Sequence, residues 1–270
     1  MTKIAIIGAA GRMGQALVRC SHQGKDLQLV GAVEQAGCPL AGKDAGLVAG
    51  VGEIGLKIGT DLAAAVQAAE AVIDFSFHEA VPQTVRIAAQ FGKAVVIGAT
   101  GLNADERAAV ERAAKSVPVV WAPNMSLGVN LLFALVEQAA ATLGLDYDVE
   151  ITEAHHRYKK DAPSGTALRL GEKVAAGRGQ NFKDVAVYGR EGLSGERPRG
   201  QIGIHALRAA DIIGDHTVLF ATEGERVEIS HRATSRDAFA KGALRAAAWV
   251  VGRKPGFYDM QDVLFHGNRA

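Results

Sequence analysis

The chain has 270 residues, 48% of them hydrophobic and 22% charged, with a formal net charge of +1 and only two cysteines. That length accommodates two modest domains, the near-neutral balance gives no support for a nucleic-acid partner, and no apolar run approaches the length of a membrane span. Cys20 and Cys38 make neither a CxxC pair nor a cluster with nearby histidines, and Gly11-Arg12 interrupts the apolar start where a signal peptide would continue, so a reducing, cytoplasmic setting with no structural metal is expected.

Lys3-Ile4-Ala5-Ile6-Ile7 is a short β-branched run, followed at once by Gly8-Ala9-Ala10-Gly11-Arg12-Met13-Gly14 and a helical pattern through Gln15-Ala16-Leu17-Val18. The order strand, glycine turn, helix with G-x-x-G-x-x-G spacing is a variant of the dinucleotide fingerprint, in which small residues let the backbone approach a pyrophosphate at a helix N-terminus. A second strand, Leu27 to Val33, ends on Glu34, twenty residues after Gly14, where an acid accepts the ribose hydroxyls of an adenosine. A solvated strand end is the plainer alternative for a lone Glu, but the placement favours the cofactor. The next residue, Gln35, is neutral where an NADP 2′-phosphate is normally met by Arg or Lys, although Arg12 is within reach of such a phosphate. NADH is therefore expected to be preferred, or both NADH and NADPH accepted.

Strand patterns continue at Ala71 to Ser76, Ala94 to Gly98 and Pro118 to Trp121, and Asn103-Ala104-Asp105-Glu106 reads as a capping box opening a helix. Near-continuous apolar strands alternating with helices belong to a parallel sheet covered on both faces. Residues 1–126 are accordingly read as a Rossmann-like, doubly wound α/β dinucleotide-binding domain. Ligands of such sheets lie beyond the carboxyl ends of the strands. That places Ser76-Phe77-His78, Gly98-Ala99-Thr100-Gly101 and Ala122-Pro123-Asn124-Met125 as walls for the nicotinamide end.

Beyond residue 126 the pattern changes to a long helix from Gly128 to Leu143 and a half-buried strand, Asp148 to Thr152. Then comes Glu153-Ala154-His155-His156-Arg157-Tyr158-Lys159-Lys160-Asp161-Ala162-Pro163-Ser164-Gly165-Thr166, read as a loop running into a helix from Ala167 to Val174. A helix start of small residues attracts anions through its unpaired N–H groups and its dipole. A carboxylate or phosphate held by Ser164, Gly165 and Thr166 would lie close to His155 and Lys159, groups suited to proton transfer and charge stabilisation. The plainer alternatives are a solvated basic loop, an N-cap at Ser164 or Thr166, and a His pair that only packs. Zinc is discounted, because adjacent histidines without a further ligand pattern seldom hold it.

The glycine-rich, charged stretch 189–200 reads as a mobile loop or lid, and strand-like runs follow at 202–207, 217–221 and 226–230. This second unit is an α+β domain with a mixed sheet and helices on one side. A final helix, Ser235 to Val251, and the tail from Pro255 to Met260 are not assignable to a domain by pattern.

With both motifs in view the chain resembles the 4-hydroxy-tetrahydrodipicolinate (dihydrodipicolinate) reductases of diaminopimelate and lysine biosynthesis over essentially its whole length. The most specific parts are Glu153 to His156 with Lys159, and Asp161 to Thr166; the glycine turn is shared by many dehydrogenases. The resemblance implies reduction of a cyclic dicarboxylate by NAD(P)H. His155 would be the proton donor and acceptor, Lys159 the proton donor to the reduced substrate, and His156, Lys159, Ser164, Gly165 and Thr166 the substrate-binding residues. For the cofactor it implies Gly8, Ala9, Ala10, Gly11, Arg12 and Met13, then Glu34, then Gly98, Ala99 and Thr100, and lastly Ala122, Pro123, Asn124 and Met125. It also implies that residues 236–270 return to the first domain, leaving 127–235 to bind substrate and to assemble a homotetramer through its sheet. Two other readings share part of the evidence: an amino-acid dehydrogenase acting on aspartate, and an NADH-binding redox sensor. Neither requires a proton-transfer pair beside an anion cradle.

Overall fold

The computed structural model describes residues 1–265, and residues 266–270, the end of the expected C-terminal return, lie outside the described residues. The chain forms two compact units, Met1–Leu127 together with residues from Arg236 onward, and Gly128–Ser235.

The first unit begins β1 (Thr2–Ile7), α1 (Arg12–Gln23), β2 (Leu27–Val33), α2 (Ala45–Ala49), α3 (Leu62–Ala68), β3 (Ala71–Asp74), α4 (Val81–Gln90), β4 (Ala94–Ile97), α5 (Ala104–Ala114) and β5 (Pro118–Trp121). The second contains α6 (Leu127–Leu143), β6 (Asp148–His155), α7 (Gly165–Gly177), α8 (Phe182–Val185), β7 (Ala186–Tyr188), β8 (Ile202–Arg208), β9 (Gly214–Thr222) and β10 (Glu225–Ala233). The chain then returns to the first unit with α9 (Asp237–Val250), β11 (Gly256–Tyr258) and α10 (Met260–Phe265).

The first unit is built on a six-stranded sheet of order β11-β5-β4-β3-β1-β2, parallel throughout. Successive strand residues point to opposite faces, and both faces are buried. Ile4, Ile6, Ile73, Val96 and Val120 pack with α1, α9 and α10, whereas Ile7, Val72, Val95, Ile97 and Val119 pack with α3, α4 and α5. This two-sided burial is why the strands read as unbroken apolar runs. The capping box is formed as the sequence predicts: Asn103 accepts the Glu106 N–H and Glu106 accepts the Asn103 N–H. The tail finds its place by pairing, since β11 lies alongside β5 with Phe257 opposite Val119.

The second unit carries a mixed five-stranded sheet of order β10-β9-β6-β8-β7, with β6, β8 and β7 parallel and β9 and β10 antiparallel to their neighbours. Val149, Ile151, Ile202, Ile204, Val218 and Phe220 cover one face and pack against Leu132, Phe133 and Val136 of α6 and Leu170 and Val174 of α7.

Three expectations change in this unit. β6 does not stop at Thr152 but runs to His155, because β8 and β9 flank it and continue the ladder on both sides; Glu153 pairs with Ala206 and His216, and His155 with Arg208. His155 therefore stands at a strand end, not in a loop, while Lys159 lies in the loop that follows. The stretch 189–200 is tied down near both ends, with the Arg190 guanidinium on both Glu150 oxygens (2.7 and 3.0 Å) and Arg197 bridging Glu150 and Asp148 at 3.0 and 2.5 Å. Lastly, the segment Leu127–Asp146, 20 residues of helix, is long and apolar enough to cross a membrane, contrary to the expectation that no run approaches that length. Packing accounts for part of its apolarity: Val129, Leu132, Phe133, Val136 and Ala140 are buried in the unit's core, whereas Leu131 and Leu135 are exposed, and Glu137 on the same helix forms a 2.7 Å ion pair with Lys173.

Candidate active site

In the first unit a cleft of about 870 Å³ opens at the carboxyl ends of β1, β2 and β3 and is lined by Gly8, Gly11, Arg12, Met13, Glu34, Gln35, Thr60, Phe75, Ser76, Phe77, Gln83 and Thr84 among others. It lies where the sheet order reverses between β1 and β3, the usual ligand position in such sheets. Two local features suit it to a pyrophosphate. α1 starts at Gly11 with no side-chain cap, leaving its first N–H groups to an anion. Moreover, a Cβ at Gly14 would stand 2.1 Å from the Gly8 carbonyl oxygen and 2.6 Å from the Ala9 Cα, so only glycine lets helix and turn approach this closely.

Glu34 braces the turn, its Oε2 accepting the Ala10 N–H at 3.1 Å and its Oε1 the Gln35 N–H at 3.0 Å. Asp74, fully buried at the end of β3, accepts the Ser76 N–H and hydroxyl at 2.8 and 2.5 Å and thereby sets the Ser76-Phe77 wall; burial pushes its carboxyl up. His78 leaves that wall, its Nδ1 bonded at 2.9 Å to Glu106, whose bond is also what raises the imidazole pKa. Gly98, Ala99 and Thr100 follow β4, and Ala122 to Met125 follow β5, both at the same end of the sheet, and the Trp121 Nε1–H donates to the Ala99 carbonyl at 3.3 Å. Ala9, Ala10 and these two segments do not line the cleft itself. Thr60, Gln83 and Thr84 do, and no motif in the sequence singles them out. Arg236, at the start of α9, is close enough to Arg12 that, after burial, the Arg12 charge depresses its pKa.

In the second unit the end of β6 carries a compact polar network. Glu153 is buried, and its carboxylate is surrounded by donors: Arg208 Nη1 to Oε2 at 2.8 Å, Arg208 Nη2 to Oε1 at 2.9 Å, the Ser164 N–H to Oε1 at 2.9 Å, and His155 Nδ1 to Oε2 at 2.7 Å. Burial alone would raise the pKa of this acid, but the Arg208, His155 and Ser164 bonds outweigh it and hold it below the usual range. For His155 burial prevails over the Glu153 attraction, and the Lys159 and Arg208 charges add to it, so the imidazole is pushed down and is neutral at pH 7.

Ser164 is the N-cap of α7: its hydroxyl oxygen accepts the Ala167 N–H at 3.1 Å and lies 3.1 Å from His216 Nε2. Burial, then the neighbouring His155, drive the His216 pKa to about 3, so this ring is neutral, and its Nε2 and the Ser164 hydroxyl share one hydrogen bond. Both the N–H and the hydroxyl of Ser164 are thus committed within the protein; the first turn continues through Gly165, which is exposed, and Thr166, which is partly exposed. The Lys159 ammonium rests on both Asp161 oxygens at 2.8 Å, and Arg208 reaches the Asp161 carbonyl at 2.6 Å, which ties the basic loop to the Glu153 network. His156 follows His155 with its Nδ1 buried and its carbonyl accepting the Lys159 N–H at 3.0 Å. The structure thus brings His155, Lys159 and the start of α7 to one network. It adds Arg208 and His216, which sequence reasoning missed because they arrive from β8 and β9. Among the described residues no group of three or more His, Cys, Asp or Glu side chains is placed to hold a metal ion.

The comparisons with known proteins agree along the chain. The family described as dihydrodipicolinate reductase, N-terminus, matches residues 2–125, and dihydrodipicolinate reductase, C-terminus, matches 128–264. The 4-hydroxy-tetrahydrodipicolinate reductase of Anaeromyxobacter dehalogenans (strain 2CP-C) is 54% identical over 264 residues, 98% of either chain. That of Alkalilimnicola ehrlichii is 54% identical over 263 residues, covering 97% of this chain and 98% of its own. Among solved structures, the dipicolinate-bound dihydrodipicolinate reductase from Paenisporosarcina sp. TG-14 shares the fold with a TM-score of 0.76 at 24% identity, over 98% of this chain and 100% of its own. With both halves matched in order and relatives more than half identical along nearly the full length, the chain belongs to the dihydrodipicolinate reductase family.

Proposed function

We propose that this chain reduces 4-hydroxy-tetrahydrodipicolinate to tetrahydrodipicolinate with NAD(P)H, with His155 and Lys159 handling protons. The observation that carries the proposal is the end of β6, where a neutral, Glu153-bonded His155 shares one network with Lys159 and the first turn of α7. Bound in the first unit, a reduced nicotinamide supplies the hydride. The substrate's 4-hydroxyl leaves as water, with His155 suited to exchange the proton that departs with it near neutral pH, and hydride addition to the conjugated imine so formed calls for one proton at the other end of the electron system. Lys159, whose ammonium rests on Asp161, supplies positive charge and the proton for the reduced product. The first turn of α7, at Gly165 and Thr166, takes a substrate carboxylate; Ser164 serves as the cap that presents that turn, and His156 as a further substrate contact. The dicarboxylate bound by the Paenisporosarcina enzyme is of the same chemical kind.

For the cofactor, the glycine turn from Gly8 to Met13 cradles the pyrophosphate and Glu34 meets the ribose. Gly98 to Thr100 and Ala122 to Met125 flank the nicotinamide end. Gln35, exposed and neutral beside Glu34, favours NADH, while Arg12 on the cleft wall allows NADPH as a second donor. The sheet face turned away from α6 and α7, where Thr152 pairs with Thr217, Glu150 pairs with Leu219 and Leu207 is 52% exposed, is the surface through which a homotetramer would assemble. His155→Ala should lower kcat by about 10²–10⁴-fold, the usual worth of a positioned acid or base, with NADH affinity unchanged. Equal losses in turnover and in NADH binding would count against the assignment.

A further inference from the structure

Resting on the reading that His155 moves a proton, one further residue can be given a role from the geometry. A carboxylate gripped by a bidentate guanidinium stays ionised and has only lone pairs to offer. The 2.7 Å contact between Glu153 Oε2 and His155 Nδ1 therefore has one polarity, with Nδ1–H donating. In a neutral ring that choice leaves Nε2 bare. The backbone around Nε2 agrees with this: a Cβ at Gly214 would stand 3.1 Å from that nitrogen, so β9 passes the ring at a glycine, and the described residues place no hydrogen-bond partner on Nε2. Glu153 itself cannot rotate away, since Arg208 holds both of its oxygens and the Ser164 N–H, at the cap of α7, holds one.

We infer that Glu153, its charge fixed by Arg208, is the positioning residue of the site: it locks His155 in the Nδ1–H tautomer with Nε2 as the nitrogen that exchanges the proton, and it ties that ring to the helix start beside it. Glu153 touches neither substrate nor cofactor in this role. The same carboxylate sets the direction of the imidazole and the position of the α7 cap, so the proton-transfer group and the anion cradle move as one body.

The test is a comparison of wild type with Glu153→Gln. Glutamine keeps an oxygen for Arg208 and the Ser164 N–H but turns an amide N–H₂ toward Nδ1, which must then accept, forcing the proton to Nε2. In ¹⁵N-histidine-labelled protein at neutral pH, with the His155 signals assigned by their loss in His155→Ala, the wild type should show the Nδ1–H tautomer and the variant the Nε2–H tautomer. The variant should lose about 10²-fold or more in kcat, with the NADH KM within twofold of wild type. A wild-type ring protonated at Nε2, or a variant retaining kcat within threefold, would overturn the inference. Should Glu153→Gln not accumulate as folded protein, the wild-type tautomer alone decides. If His155→Ala left turnover intact, the proton-transfer reading would fail, whereas normal turnover in Glu153→Gln alone would sink only the positioning role.

Discussion

Arg208→Met isolates the energetic core of the site. The Glu153 side chain is fully buried, and Arg208, 20% exposed, gives it two charge-assisted bonds of 2.8 and 2.9 Å. Methionine fills similar volume but leaves the carboxylate with only the Ser164 N–H and His155. Removing one partner of a buried ion pair costs about 3–5 kcal/mol, because the remaining charge stays desolvated; the partial exposure of Arg208 places the expected loss at the lower end. The same reasoning gives the rescue. Glu153→Gln alone keeps an oxygen for Arg208 but leaves its partly exposed charge without a counter-charge, at about 1–2 kcal/mol, and the double variant carries no unpaired charge at all. Urea unfolding followed by circular dichroism, at one protein concentration for all four proteins, should show the double variant more stable than Arg208→Met. Arg208→Met should also lose less stability at pH 5 than at pH 8. Without the guanidinium, burial governs the Glu153 pKa and lifts it above its unfolded value, so protonation as pH falls relieves the strain. Strictly additive losses in the double variant, or an Arg208→Met penalty under about 1 kcal/mol, would refute the reasoning.

Three further outcomes follow from the geometry. Gly14→Ala puts a methyl 2.1 Å from the Gly8 oxygen, so NADH affinity measured by fluorescence titration should fall more than tenfold, while a dicarboxylate ligand of the second unit protects that unit as before. Gln35→Arg offers a guanidinium to a 2′-phosphate and should raise the NADPH-to-NADH ratio of kcat/KM by at least tenfold; an unchanged ratio would show that this position does not meet the adenosine ribose. The His216 pKa, about 3 in the fold, lies below its unfolded value, so the unfolded chain binds the extra proton and stability contributed by the neutral ring is full above about pH 6.5 and lost as pH falls toward 3. His216→Asn should therefore flatten the acid limb of a stability-versus-pH curve by about 1.4 kcal/mol per pH unit, and an identical slope in both proteins would contradict the assignment.

The first unit was legible because its physics is local. A strand buried on both faces must be apolar throughout, and Gly8 and Gly14 must lack side chains to let α1 meet its turn, so the letters alone mark both. β11 left no such mark: three residues with Phe257 are a strand only because β5 lies beside them. In the second unit Glu153 and His155 stand two apart on β6 and share a face, a period-2 signal that was present but was hidden by the basic loop that follows. Arg208 and His216 could not be found locally, since register across the sheet brings them in, Arg208 opposite His155 and His216 opposite Glu153. A usable clue was the alternation Gly214, His216, Val218, Phe220 in β9, which places a histidine on a buried face where an apolar residue is expected. Ser164 shows the opposite case: the sequence marks it as an anion ligand and as an N-cap equally well, and the structure commits its hydroxyl to the cap.

The central claim is tested most directly by the rate of NADH oxidation when substrate is generated in place from pyruvate and aspartate semialdehyde by the condensing synthase, beside a mixture lacking that synthase. Rapid oxidation confined to the complete mixture, and abolished by His155→Ala, is the predicted result. NADH that binds in the complete mixture without being oxidised would contradict the account and leave a nucleotide-binding protein whose β6 network serves another purpose.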